Sequence, residues 1–358
     1  MDVKITGVRL RRIRQQMRRL KVDCLVVTKP ANVTYITGFT GDDSWAVVFH
    51  RTAALVTDSR YTEQSGQECQ GCRIIERKAG MAKAVADVVS RQRKVKMAGI
   101  EKSTSVAAFE RLKKHLKCRV KAVGAIVETV RRTKDKAEVR AIRTAGEIAG
   151  RVFERVRRRV RSGMTENELA GVVDFEIRKL GGRSSFETIV AFGGNASRPH
   201  HRPGTRKLKK NDTVLIDFGV RYKGYCCDVT KCFAVGRPGR LFGEVYEAVE
   251  RAREAALKMI KAGVEIKRID SAAREAIRDS ALPVYGHGTG HGLGLEVHEL
   301  PVVSDKAEGK LQAGDVITIE PAVYIPGKLG VRLEDDILVT EGGYIMLSGG
   351  VGGGRLPI

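Results

Sequence analysis

Gly286-His287-Gly288-Thr289-Gly290-His291-Gly292-Leu293-Gly294-Leu295-Glu296-Val297-His298-Glu299 decides how this chain is read. Three of the seven histidines fall here, with glycine on both sides of His291. Glycine has no Cβ, so such a backbone approaches other backbone or a ligand closely, and each glycine adds to the entropy cost of ordering. A purely structural segment has little use for that cost. Imidazoles crowded this way suit metal ligation and proton transfer, and a flexible loop with incidental histidines is the weaker reading.

Carboxylates on either side complete a pattern. Val214-Leu215-Ile216-Asp217-Phe218-Gly219 reads as a buried strand with one acid near its end, and Tyr225-Cys226-Cys227-Asp228-Val229-Thr230 as its return. A turn centred on Tyr222-Lys223 puts Asp217 opposite Asp228, with Cβ atoms about 4.5–5.5 Å apart on one face. Residues 315–324 read as another strand, Pro326-Gly327-Lys328-Leu329-Gly330 as a turn, and residues 331–339 as the return. Folding about Gly327 sets Glu320 opposite Glu334. Like charges so placed repel unless a cation lies between them. Four carboxylates and one imidazole, with no thiolate, suit Mn²⁺, Co²⁺ or Zn²⁺. One acid near a strand end is ordinarily just solvated; five such groups together are not explained that way.

The order Asp217, Asp228, His291, Glu320, Glu334 resembles the dinuclear metallopeptidases of the pita-bread fold, which include methionine aminopeptidase, aminopeptidase P and prolidase. The resemblance covers nearly the whole chain. It implies two divalent ions, Mn²⁺ first and Co²⁺ or Zn²⁺ as alternatives. Asp217 would chelate one ion, Asp228 and Glu334 would bridge both, and His291 and Glu320 would complete the second. It also implies Glu320 as general base, His200 in Ser197-Arg198-Pro199-His200 as a proton-handling group, and His298 as the residue that steadies the tetrahedral intermediate. His287 matches a supporting pocket histidine. Arg332, Tyr324 and Thr230 fall where hydrogen bonds orient the ligands. His201 has no role in the pattern. Cys226-Cys227, Lys231-Cys232 and Ala322 depart from the usual residues; none removes a ligand, so they bear on substrate preference.

At 358 residues the chain has room for two domains with separate cores, and 42% hydrophobic with 30% charged residues describes a soluble globular protein. No apolar run reaches the roughly 18 residues of a membrane span. Met1-Asp2-Val3-Lys4-Ile5-Thr6 lacks the apolar core of a signal peptide, so the expected location is cytoplasmic. Seven scattered cysteines, including a lone Cys69-Gln70-Gly71-Cys72, read as reduced thiols. Strand alternation turns Cys227 away from the face of Asp228. The net charge of +23 raises nucleic acid as a partner. Between residues 151 and 161, however, Val152, Phe153, Val156 and Val160 keep a helical apolar stripe while arginines fill the rest, which favours a solvated basic surface.

Along the chain, a helix over 10–20, strands over 22–27, Trp45–Phe49 and Ala53–Thr57, and helices over 83–91 and 106–116 make a small α/β domain. Lys29-Pro30-Ala31-Asn32 reads as a breaker. Segments 32–39 and 57–61 resemble the amino-terminal domain shared by aminopeptidase P, prolidase and creatinase. Helices follow over 135–160, 165–180, 241–262 and 266–280, with Gly181-Gly182 ending the second of them. The two acid-bearing hairpins hint at an internally duplicated half-domain, and the tail over 349–354 is expected to be mobile. The fold expected is a creatinase-like α/β domain (residues 1–130) followed by an α+β pita-bread catalytic domain (131–358).

The activity this implies is an Xaa-Pro aminopeptidase acting on peptides with proline second, with prolidase, an Xaa-Pro dipeptidase, as the alternative. A silent relative that binds protein or nucleic acid is disfavoured, because such relatives lose ligands and all five are present. Relatives commonly form homodimers, and a homodimer is expected here.

Overall fold

The computed structural model describes residues 3–348; the expectation for residues 349–354 lies outside them. The chain divides into two compact units, one reaching Arg131 and the other starting at Arg132. No helix among the described residues is long and apolar enough to cross a membrane.

The first unit runs α1 (Val3–Arg19), β1 (Cys24–Val27), α2 (Pro30–Thr37), β2 (Trp45–Phe49), β3 (Ala53–Thr57), α3 (Thr62–Glu68), β4 (Arg73–Glu76), α4 (Met81–Ser90), β5 (Met97–Glu101), α5 (Val106–His115), β6 (Arg119–Val123) and α6 (Ile126–Arg132). Its six strands form one sheet in the order β4-β3-β2-β1-β5-β6. Every residue of β1 and β3 is buried, as a sheet covered on both faces requires. The α/β reading holds, with local corrections. Lys29-Pro30-Ala31-Asn32 starts a helix: Pro30 occupies the first turn of α2, where its fixed φ fits and its missing N–H has no bond to lose. Helix α1 begins well before residue 10, because Thr6 and Arg9 are buried on its inner face and hide the apolar period. Strand β6 is an addition to the expected elements: as an edge strand it alternates Arg119 and Lys121 with apolar residues and carries no apolar run.

The second unit runs α7 (Lys136–Arg157), α8 (Glu166–Lys179), β7 (Arg183–Ser184), β8 (Ile189–Phe192), β9 (Thr213–Phe218), β10 (Val220–Tyr222), β11 (Tyr225–Cys226), β12 (Val229–Ala234), α9 (Arg240–Met259), α10 (Ile266–Arg278), β13 (Gly290–Gly292), β14 (Glu299–Val303), β15 (Val316–Ile319), β16 (Ala322–Ile325), β17 (Leu329–Arg332), β18 (Asp335–Val339) and β19 (Tyr344–Met346). Asp135 caps α7 by accepting from the N–H groups of Ala137 and Glu138 at 2.8 and 3.0 Å, and Glu138 returns the bond. Val152, Phe153, Val156 and Val160 pack into the core beneath β9 and β12.

The first hairpin corrects the expected register. Asp217 faces Thr230, and Arg221 faces Cys226. The turn is centred on Lys223-Gly224, with φ of +48° and +85°. A two-residue hairpin turn of this hand needs positive φ at both central residues, and a turn on Tyr222-Lys223 would force it on a bulky aromatic. The slip is two residues along the partner strand, so it leaves Asp217 and Asp228 on the same face. The second hairpin keeps one register throughout, from Ile325 opposite Leu329 to Ile319 opposite Asp335, and this sets Glu320 against Glu334.

Neither hairpin is made of continuous strands. Each pairing ladder breaks beside its acids and resumes in another sheet: β9 passes to β10 at Gly219 and β11 to β12 around Asp228, β15 to β16 at Glu320-Pro321, and β17 to β18 at Leu333-Glu334, while Asp217 stays paired inside β9. The order β12-β9-β8 in one half matches β18-β15-β13 in the other. The same backbone bonds close both halves. Gly163 donates to Leu208 O and Gly263 to Leu311 O, each at 2.9 Å; Val235 donates to Asp212 O and Val339 to Asp315 O, each also at 2.9 Å. Both glycines hold nearly the same left-handed φ, +90° and +87°. The duplication hinted at by the two hairpins is thus present in the backbone.

Candidate metal centre

Strand β13 carries His291 between β14 and β15, and glycine makes room for it. A Cβ on Gly290 would stand 2.0 Å from the Thr318 carbonyl oxygen, and one on Gly292 2.2 Å from that of Leu300. The His291 N–H donates to Thr318 Oγ1 at 3.1 Å. Its Nδ1 faces its neighbour's carbonyl, Gly292 O, at 3.1 Å, which fixes the proton there and leaves Nε2 with a free lone pair. That Nε2 lies 3.7 Å from Asp228 and 3.5 Å from Glu320. Burial, then His298 nearby, pulls His291 down to about 4. A neutral imidazole is the form that binds a metal.

Donor atoms of Asp228, His291 and Glu334 lie within 4.8 Å of one another. Glu320 and Asp217 stand just outside that group. Arg332 is buried and holds the set in place. It donates from Nη2 to Asp217 Oδ2 at 2.5 Å and from Nε to Thr230 Oγ1 at 3.0 Å, and Thr230 passes its own proton to Glu334 Oε2 at 2.7 Å. A polarised chain leaves the other nitrogen: Nη1 donates to the Tyr324 hydroxyl at 2.6 Å, which lies 3.1 Å from His287 Nε2, and His287 Nδ1 faces Gly288 O at 2.8 Å. Burial pulls His287 down to about 4 as well, so its Nε2 accepts.

The carboxylates are held apart from water and close to one another. Burial first, and then Glu334 and Asp217, push Asp228 well above the usual carboxylate range. Burial, then Glu320 and Asp217, do the same to Glu334. Glu320 is pushed up to about 7, again by burial and then by Asp217 against the pull of Arg332. Asp217 Oδ1 and Asp228 Oδ1 are buried without a hydrogen-bond partner among the described residues. Orphaned carboxylate oxygens beside a neutral imidazole are what a divalent cation satisfies, and the donor set fits one.

The remaining sequence-derived positions take different places. His298 is exposed, with its ring 4.3 Å from that of His291. His200 is exposed too, and the carbonyl of the adjoining Pro199 accepts from Arg332 Nη1 at 3.4 Å. Reading the sequence missed several supports. His201 is buried with its Nε2 2.8 Å from Glu166, which also accepts from the N–H of Phe192 and Gly204 and so ties down the segment bearing His200. Asp336 accepts the Asp228 N–H at 3.2 Å; it follows Glu334 by two residues, and alternation alone could have placed it on that face. The Thr289 carbonyl accepts the Glu320 N–H at 2.8 Å, and Asp270 holds the Thr289 hydroxyl at 2.6 Å. A threonine inside a glycine run was the available signal.

Comparison with known proteins agrees with this geometry. Residues 140–341 match the model of metallopeptidase family M24, and residues 9–133 match the creatinase/prolidase N-terminal domain. An uncharacterized peptidase of Bacillus subtilis (strain 168), YqhT, is 36% identical over 342 residues, 94% of this chain and 96% of its own. An Xaa-Pro dipeptidase from Bacillus anthracis superposes with a TM-score of 0.94 at 31% identity, covering 99% of each chain. An X-Pro aminopeptidase from Thermotoga maritima MSB8 does so at 0.88 and 35% identity, over 96% of this chain and 100% of that one. The chain belongs to metallopeptidase family M24, with a creatinase/prolidase N-terminal domain ahead of its peptidase domain.

Proposed function

We propose that this chain is an Xaa-Pro aminopeptidase, removing the first residue of peptides whose second residue is proline, with two divalent cations as cofactor and Mn²⁺ the first choice. The observation that carries this reading is the group of Asp228, Glu334 and a neutral His291, with Glu320 3.5 Å from His291 and Asp217 tied to Glu334 through Arg332 and Thr230, and with two of the buried carboxylate oxygens lacking partners among the described residues. When bound, a pair of divalent ions supplies Lewis-acid polarisation of the scissile carbonyl and acidifies the attacking water. Asp217 and Asp228 would hold the ions with Glu334, His291 and Glu320. Glu320, whose side chain keeps 16% of its surface exposed, takes the proton from the water. His298, exposed beside His291, donates to the oxyanion of the tetrahedral intermediate. His200, on the segment anchored through His201 and Glu166, handles the proton that reaches the leaving nitrogen.

A second reading, Xaa-Pro dipeptidase, is favoured by the superposition on the Bacillus anthracis enzyme of that name. A dipeptidase must recognise a free carboxylate directly after proline, whereas an aminopeptidase leaves that end open. The deciding measurement compares kcat/KM for an Xaa-Pro dipeptide, an Xaa-Pro-Yaa tripeptide and a matched Xaa-Ala-Yaa tripeptide, each with Mn²⁺. The proline tripeptide should be cut fastest, between its first and second residues. Faster cutting of the dipeptide makes the chain a dipeptidase, and equal cutting of the alanine peptide removes proline specificity.

A further inference from the structure

One end of the second unit carries positive charge that the peptidase chemistry does not use. Segments 155–161, 202–210 and 237–240 hold twelve basic and no acidic residues. The backbone stitches them together. Leu208 bonds with Gly163 and Met164 at 2.9 and 2.7 Å, the Glu166 N–H donates to Arg206 O at 3.1 Å, and the Arg237 N–H donates to Asn211 Oδ1 at 2.8 Å. Neighbouring acids are already engaged: Glu176 with Arg155 and Arg159, Glu154 with Arg157, Asp212 with Arg206, and Glu244 with Arg240. Arg158, Arg161, Lys207, Lys209, Lys210 and Arg237 remain exposed, and among the described residues none of the six has an ion-pair partner. Glu168 faces Arg161 and Lys207 without pairing with either.

The internal repeat shows that the fold does not need this charge. In the second half the same hydrogen bonds close the same backbone, yet Gln312 stands where Lys209 does, Ala313 where Lys210 does and Glu341 where Arg237 does. Val156, Val160 and Leu208 are buried, and the other apolar side chains of the three segments, Pro203 and Pro238, are half-buried and small, so the surface offers no large apolar group to insert into a lipid layer. No aromatic residue lies in the segments to stack on a base. We propose that this surface binds a nucleic-acid backbone through phosphate charge, without reading base sequence.

The test is fluorescence anisotropy of a labelled RNA of about 20 nucleotides and a DNA duplex of equal length, between about 50 and 200 mM KCl. The variant Lys209→Gln/Lys210→Ala/Arg237→Glu places the second half's residues on the first half's scaffold. Wild type should bind both probes, losing about 10³-fold in affinity over that salt range if six phosphates are contacted. The triple variant should bind at least about tenfold more weakly, with a salt slope smaller by about one for each cation removed. Its circular dichroism and peptide hydrolysis should match wild type. Binding unchanged in a folded variant overturns the proposal, as does no binding by wild type at the lowest salt. Equal affinity of wild type for phosphatidylserine vesicles, with the same loss in the variant, overturns it in favour of a lipid surface.

Discussion

Asp217 and Asp228 look alike in the sequence and are held in different ways. Arg332 grips one oxygen of Asp217, whereas the side chain of Asp228 is steadied through its own backbone, by the N–H it gives to Asp336. Asp228→Asn should therefore lose metal and activity together, because under the proposed ligand set an amide would leave one carboxylate fewer to hold the cations. His298→Ala should keep its metal and lose about 10²- to 10³-fold in kcat, since its proposed work is on the transition state. Metal analysis of both variants beside their turnover numbers checks this; an empty His298→Ala and a full Asp228→Asn would reverse the roles. The candidate ligands were legible because each sits in a short motif. Asp336, His201 and Thr289 were not, since their meaning lies in bonds to Asp228, Glu166 and Glu320, residues far away in sequence.

Single elements show why the glycine run could be read but not resolved. Its glycines look interchangeable in the sequence, yet Gly290 is wedged against the Thr318 carbonyl while Gly286 has open space where a Cβ would go. Gly290→Ala should cost about 1–3 kcal/mol or more in urea unfolding, by prising β13 from β15. Gly286→Ala should stay within about 0.5 kcal/mol of wild type. Equal stability of the two variants would show that β13 has slack that the geometry denies. At this scale, apolar runs such as β2 and β3 declared themselves to the residue. The ladder breaks at Asp228, Glu320 and Glu334 did not, because a period of two runs on through them. The first hairpin's register failed for want of one fact, that Gly224 and not Tyr222 could take the left-handed turn position.

For the whole molecule, the buried carboxylates couple stability to pH and metal. In the metal-free chain Glu320 is held up at about 7, with Asp228 and Glu334 raised well above the usual range. Above about pH 6.5 the folded state then binds more protons than the unfolded one, so unfolding free energy falls as pH rises. His287 and His291, both near 4, act in the opposite sense, but only below about 6.5, where an unfolded imidazole takes up its proton. Chelated protein should melt lower at about pH 8 than at about pH 6.5, and saturating Mn²⁺ should erase or invert that order. A flat profile without metal would mean that the carboxylates do not share one buried site. The interrupted hairpins also have a consequence in time. Where the ladders break, the amides of Asp228, Glu320 and Glu334 reach across to Asp336, Thr289 and Thr230 instead of to a strand partner. These three cross-links are the rivets of the domain, and each sits beside a buried carboxylate whose charge burial and its neighbours oppose when no cation is present. Hydrogen exchange should catch them loosening together in chelated protein, well ahead of the β9 and β15 amides a few residues away, and Mn²⁺ should bring all three to the pace of those strands.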